Sequence, residues 1–273
     1  MTRYLLLIYL IIGFITKTYS QDVKFFGDFV PGSLVFGKAE NVKDVWLDKE
    51  KIQVDGSGNF VFGFDRDDKG SFLLKIKFAN GRVYLKKINL PERNYQIQRI
   101  ERMNPDKVVP PSKDNEKIVK EREIIRNARK SIGKIDTAYY SSGFIKPVKT
   151  NRQTSVFGSQ RILNGIPKNA HNGLDYGAPT GTPVYAMADG IVFLSGTDFF
   201  YNGTFVYLDH GQGLNSFYLH FSKLDVKDGE FVKKGQKIGE IGTSGRSTGP
   251  HLHWGVQWFN KRVDPALLLK INF

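Results

Sequence analysis

From about Thr150 to the C-terminus, short runs of β-branched and aromatic residues are separated by glycine-bearing turns. That spacing commits the region to β-sheet. Val184–Ala188, Gly190–Ser195, Gly203–Asp209, Ser216–Phe221 and His251–Phe259 read as strands, with Gly211-Gln212-Gly213, Asp228-Gly229 and Thr243-Ser244-Gly245 as turns. Val232–Gly239 reads as strand, turn and strand. Such units also occur in lipoyl- and biotinyl-type β-folds, but no lysine on this one is singled out for modification. The segment from about residue 24 to 100 has the same character. Asn59–Phe64, Ser71–Phe78 and Arg82–Leu90 are strand-like, Asn80-Gly81 is a hairpin signal, and Asp55-Gly56-Ser57-Gly58 is a turn. Short strands at this spacing predict a small β-sandwich, serving as a spacer or packing module.

Between the two β regions the composition changes. Val108-Val109-Pro110-Pro111-Ser112 reads as a stiff connector. Asn115 to Ile132 reads as a charged helix with a narrow apolar stripe at Ile118, Ile125 and Ala128–Ile132, capped by Ser112 or Asp114. Such a helix suits the surface of a domain. The N-terminus is different again. Arg3 precedes an apolar run from Tyr4 to Ile15, and Thr18-Tyr19-Ser20 supplies small residues before a cut at Gln21, the pattern of a secretory signal peptide. The run is shorter than the roughly 20 apolar residues of a spanning helix. With no cysteine, a lipid anchor of the lipoprotein type is excluded, and so are disulfides. The organisation expected is a signal peptide at 1–20, an N-terminal β-sandwich at 21–103, a basic helical linker at 104–149 and a second β domain at 150–273.

The formal charge of +13 suits a protein held near anionic envelope polymers. Export removes nucleic acid as a partner.

All five histidines lie between His171 and His253. In a strand, His251 and His253 point to one face, and Leu252, Trp254, Val256 and Trp258 to the other, which reads as core. His171 and Asp175 are four apart, but Gly173, Gly177 and Pro179 argue for a loop entering a strand rather than a helix. His171, Asp175 and one of the pair His251/His253 make three ligands. Imidazole with carboxylate suits zinc, and three ligands with one open position is the catalytic pattern. Zinc-bound water, its pKa lowered toward about 7, can attack an amide carbonyl. A proton carrier and an oxyanion stabiliser are then needed, and the candidates are His220 and the other histidine of the pair. Strand alternation puts His220 on a face with Ser216 and Tyr218, opposite Phe217, Leu219 and Phe221.

These residues resemble a known family. His171-x-x-x-Asp175, Tyr218-Leu219-His220 and Gly245-Arg246-Ser247-Thr248-Gly249-Pro250-His251-Leu252-His253 are similar to the three motif blocks of the lysostaphin/LytM-type zinc metallopeptidases. Asn164-Gly165-x-Pro167, Gly177-Ala178-Pro179-x-Gly181-Thr182-Pro183-Val184 and Lys234-Gly235-Gln236 extend the match over roughly Thr150 to Pro265. The resemblance implies a mainly β chain whose C-terminal domain is an antiparallel sheet crossed by an open groove. It implies one zinc per chain, held by His171, Asp175 and His253, with His220 and His251 as catalytic histidines and His210 structural. Trp254-Gly255 departs from the family pattern, in which an aromatic and then an acidic residue commonly follow the last ligand.

The implied activity is hydrolysis of peptide bonds in the stem or cross-link peptides of bacterial peptidoglycan, in the periplasm or envelope of a Gram-negative cell. The N-terminal domain would be a surface for envelope-protein partners. The alternative is a non-catalytic member that binds peptidoglycan or activates another wall hydrolase. The complete set of five site residues favours the enzyme. The N-terminal domain or the basic helix is a candidate cover for the groove.

Overall fold

A computed structural model describes residues 23–272. Residues 1–20, where a signal peptide is expected, lie outside these residues. The chain is mainly β, as its alternating pattern predicts, and three features of the fold position the site.

The first is a ten-stranded sheet built from the C-terminal half. Its central strands Gly203–Asp209, Leu214–Leu224, His251–Trp258 and Leu174–Gly177 run antiparallel in that spatial order. One face of this sheet is largely apolar. Tyr218, Phe221, Leu252, Trp254, Val256 and Trp258 are all buried there, as the alternation of the last strand predicts. Burying an aromatic or large aliphatic side chain contributes about 1.5–3 kcal/mol each, so this face anchors the sheet.

The second feature is the N-terminal pair of sheets. Lys24–Phe26, Leu34–Lys38 and Asn59–Gly63 form one, and Glu50–Ile52, Val42–Leu47, Gly70–Phe78 and Val83–Leu90 the other. The Asn80-Gly81 hairpin forms as expected. Gly81 takes a positive φ of 86°, and the Arg82 amide donates to Asn80 Oδ1 at 3.1 Å. Phe60, Phe62 and Phe64 pack into the same hydrophobic core as Trp254 and Trp258. Around this contact, Arg93 pairs with Asp264, Arg262 with Asp65 (3.3 Å), and Gln212 donates to the Asn59 carbonyl at 3.0 Å. The sandwich is thus docked on the large sheet. The strand that follows it, Ile97–Ile100, joins a separate three-stranded sheet and pairs in parallel with Gln160–Leu163, a pairing that no local pattern signals.

The third feature is the connecting segment. Pro105–Val108 forms one helical turn capped by the Asn104 side chain, and it runs into the connector expected at 108–112, where Val109 and Pro111 have extended backbone. The charged helix spans Asn115–Ala128, and a 3-10 turn at Arg129–Ser131 replaces its last predicted turn. Neither Ser112 nor Asp114 caps it. A 3-10 turn at Ser112–Asp114 leads straight in, so Asp114 is already helical and its side chain caps nothing. The helix lies across the large sheet with Ile125 and Ala128 against Leu194, Phe205, Tyr207, Phe217 and Leu219. Glu121, nearly buried, accepts the Phe200 amide at 2.9 Å.

Candidate active site

Strand register assembles the cluster. Asp175 lies directly opposite His253, and His253 directly opposite Leu219, so their side chains share one face. His171 enters from a loop fixed at both backbone ends. Its amide donates to the Ser159 carbonyl, and its carbonyl accepts the Gly158 amide, both at 2.8 Å. Gly173 keeps the approach open, since a Cβ there would stand 2.8 Å from the His253 ring.

Three potential ligand atoms converge. His171 Nε2 is 3.0 Å from Asp175 Oδ1 and 3.0 Å from His253 Nδ1, and His253 Nδ1 is 2.7 Å from Asp175 Oδ1. All three residues are buried. His171 Nδ1 lies 2.9 Å from the Val156 carbonyl, which only accepts, so the proton sits on Nδ1 and Nε2 presents a lone pair. Ser155 Oγ also reaches Nδ1, at 2.9 Å. Arg161 binds Asp175 Oδ2 at 3.0 Å, leaving Oδ1 for the cluster. Electron-pair donors this close repel one another unless a positive charge sits among them, and imidazole with carboxylate is a zinc-type donor set. Outer contacts of this kind fix the tautomer and orientation of metal ligands. Burial alone would raise Asp175, but the close approach of His171 and His253 outweighs it and holds the carboxyl well below its ordinary range. Burial likewise holds His253 down to about 4.

His220 and His251 flank this cluster, their ring centroids 4.8 Å apart. His220 Nδ1 donates to the Ser244 carbonyl at 2.8 Å and His251 Nδ1 to the Gly249 carbonyl at 2.8 Å. Among the described residues neither Nε2 has a partner, and both rings line one cavity of about 320 Å³ with Asp175 and His253. Two imidazoles that each expose one nitrogen can accept and return a proton. Burial, then the charges of His251 and His253, holds His220 down to about 3.

The face taken by His220 differs from the expectation. Tyr218 and Ser216 point into the main core, while Phe217, Leu219 and His220 line the groove. A bulge causes this. His220 takes a φ of +69°, its amide donates to the Asn202 carbonyl, and the pairing with Gly203–Asp209 shifts register there. The phase of the strand flips, so His220 reaches the groove and Phe221 the core. His210 stands apart from the cluster, fully buried, with Nδ1 on the Asp189 carbonyl (2.7 Å) and Nε2 on Ser216 Oγ (2.8 Å).

Sequence reasoning assigned no role to Ser155, Arg161, Tyr201 or Arg246, which surround the cluster. Ser155 and Arg161 sit on short strands, and only tertiary pairing brings them in.

The model of peptidase family M23 matches residues 169–265. A crystal structure from Pseudomonas aeruginosa, described as a peptidase M23, is 30% identical with a TM-score of 0.64. The match covers 89% of this chain and 95% of that one. The chain belongs to peptidase family M23. Among M23-type relatives, the peptidoglycan DD-endopeptidase ShyC of Vibrio cholerae is 46% identical over 110 residues, 40% of this chain and 25% of that protein. The DD-carboxypeptidase/endopeptidase Mpg of Neisseria meningitidis is 38% identical over 122 residues, 45% of this chain and 28% of that protein. The matched region spans about a quarter of the length of these curated relatives.

Proposed function

We propose that the chain is a zinc-dependent endopeptidase that hydrolyses stem or cross-link peptides of bacterial peptidoglycan. The observation that carries this reading is the convergence of His171, Asp175 and His253 to within 3.0 Å, beside two histidines with free Nε2 atoms.

His171 Nε2, Asp175 Oδ1 and His253 Nδ1 would hold one zinc per chain. When bound, zinc supplies Lewis acidity toward the scissile carbonyl and lowers the pKa of water. His220 and His251 divide the remaining work. One Nε2 takes up the proton released on attack and returns it to the leaving amine, and the other ring donates a hydrogen bond to the developing oxyanion. The carbonyls of Ser244 and Gly249 hold both rings in the required tautomer. Arg161 keeps Asp175 oriented and ionised.

The names of the relatives support this substrate class, and with it a site of action in the periplasm or envelope. In this reading the peptidase domain is 150–273. Residues 21–103 and 104–149 support it, and the N-terminal sheets offer a surface to envelope proteins. A non-catalytic role as a peptidoglycan binder or hydrolase activator is disfavoured, because no position of the five is lost.

The test is metal content together with turnover. Purified protein is expected to bind about one zinc per chain. His171→Ala should lose the metal. His220→Ala should retain it and lose roughly 10²–10⁴-fold in kcat on cross-linked muropeptides. A chain that binds no zinc at micromolar metal contradicts the assignment. Release of zinc by His220→Ala contradicts the division of roles.

A further inference from the structure

Three cavities meet at the site, and Arg161 and Arg246 line all three. Among the described residues, Asp175 is the one carboxylate lining any of them. The cations around it are not equivalent. Arg161 is bound to Asp175. Arg129 spends its guanidinium on the Phe259 carbonyl and the Asn215 and Asn260 side-chain oxygens. Arg262 is paired with Asp65, Arg122 and Arg152 are exposed and screened by solvent, and Lys168 carries a compact ammonium rather than a planar fork.

Arg246 is different. It is half-buried in the loop leading to His251 and His253, and its guanidinium carbon lies 4.7 Å from the centre of the Tyr201 ring. Among the described residues no carboxylate pairs with it. Its charge is fixed, because a guanidinium is not deprotonated in proteins. Burial, reinforced by the charge of Arg161, nevertheless holds it below its ordinary range. Stacking on Tyr201 leaves the edge of the guanidinium fork available, and that edge matches the two oxygens of a carboxylate. The loop is braced against the opposite turn. Gly245 packs on the Tyr201–Gly203 backbone, and the Arg246 amide donates to the Tyr201 carbonyl at 3.0 Å.

We propose that Arg246, stacked on Tyr201, is a substrate-positioning residue that binds a free carboxylate of the peptide cut at this site, and so selects for carboxylate-bearing stem peptides over their amidated counterparts. The proposal rests on the peptidase reading above. It gives this half-buried, unpaired guanidinium an anionic partner beside the scissile bond.

The test uses the full-length, metal-loaded protein and two matched cross-linked muropeptides, one with free stem carboxylates and one with those carboxylates amidated. The wild-type protein should cut the free acid with a kcat/KM about tenfold or more above that of the amide, the worth of one charge-assisted contact. Arg246→Gln should collapse that ratio toward one, and Arg246→Lys should recover part of it. Thermal unfolding of each variant separates loss of selectivity from loss of fold. Binding of the same two peptides to the His220→Ala protein separates the subsite from turnover. Tighter binding of the acid that disappears on adding Arg246→Gln supports the subsite even if the wild type cuts neither peptide, a result that would overturn only the peptidase reading. Equal handling of acid and amide by the wild type, or a preference that survives in folded Arg246→Gln, overturns the proposal.

Discussion

His220 shows what a single backbone angle does at this site. A φ of +69° is costly for a non-glycine residue, of order 1–3 kcal/mol, and persists only where the surroundings hold it. Here the Asn202 and Ser244 carbonyls hold it. A second buried group carries a different cost. Asp209 donates nothing and accepts only the Gly211 amide. Its Oδ2 is buried without a hydrogen-bond partner among the described residues, and burial pushes its carboxyl up to about 6. The unfolded carboxyl titrates near 3.9, so between about pH 4 and pH 6 the folded state binds more protons. Stability from this group is full below the unfolded value and is lost as pH rises through the folded one. Asp209→Asn should therefore gain roughly 1–2 kcal/mol over the wild type above pH 6, and nothing below pH 4, in paired denaturant titrations. An equal difference at both pH values would contradict this. At this scale the sequence was legible where strand parity applied. It brought His251 and His253 to one face, and Leu252, Trp254, Val256 and Trp258 to the other. Parity failed at His220, because nothing in Ser216–Phe221 announces a bulge.

Elements, rather than single residues, set the distances within the site. The turn at Tyr201–Gly203 and the loop at Ser244–Arg246 come from distant parts of the chain, yet they touch backbone to backbone. A Cβ on Gly245 would stand 2.3 Å from the Gly203 amide nitrogen, and Gly245 has a φ of +70°. Gly245→Ala should cost about 1–3 kcal/mol in stability and should also lower kcat. The second effect follows because Ser244 orients His220 and Arg246 stacks on Tyr201. Thermal unfolding and steady-state turnover on one preparation check both, and an unchanged unfolding midpoint would contradict the close approach. The sequence marks Thr243-Ser244-Gly245 as a turn through its glycine, but which backbone that glycine faces is a tertiary fact. The charged helix was legible from its apolar stripe. Its entry through a 3-10 turn was not, since Ser112 and Asp114 satisfy the local capping preference equally well.

Across the whole molecule, the change in composition near residue 104 looks like a junction between modules, yet one hydrophobic core runs from Phe60 to Trp258. The parallel pairing of Ile97–Ile100 with Gln160–Leu163 crosses that change. Alternation predicts that each strand exists but not which distant strand it meets, so the docking was illegible while the sheets were not. Docking matters for the site. Gln98, from the N-terminal half, accepts from Ser155 Oγ at 2.9 Å, and Ser155 in turn contacts His171. The connecting segment walls the groove, with Val108 and Arg122 on one cavity and Ile125 and Arg129 on another. The proposed reaction is hydrolysis of a peptide cross-link in the wall polymer. Its most direct test is digestion of purified Gram-negative sacculi with the metal-loaded protein, followed by mass spectrometry of the released muropeptides. Cross-linked dimers should convert to monomers with the gain of one water across the pair, and His220→Ala should leave them intact. Dimers that persist in the presence of metal-loaded wild-type protein would contradict the account.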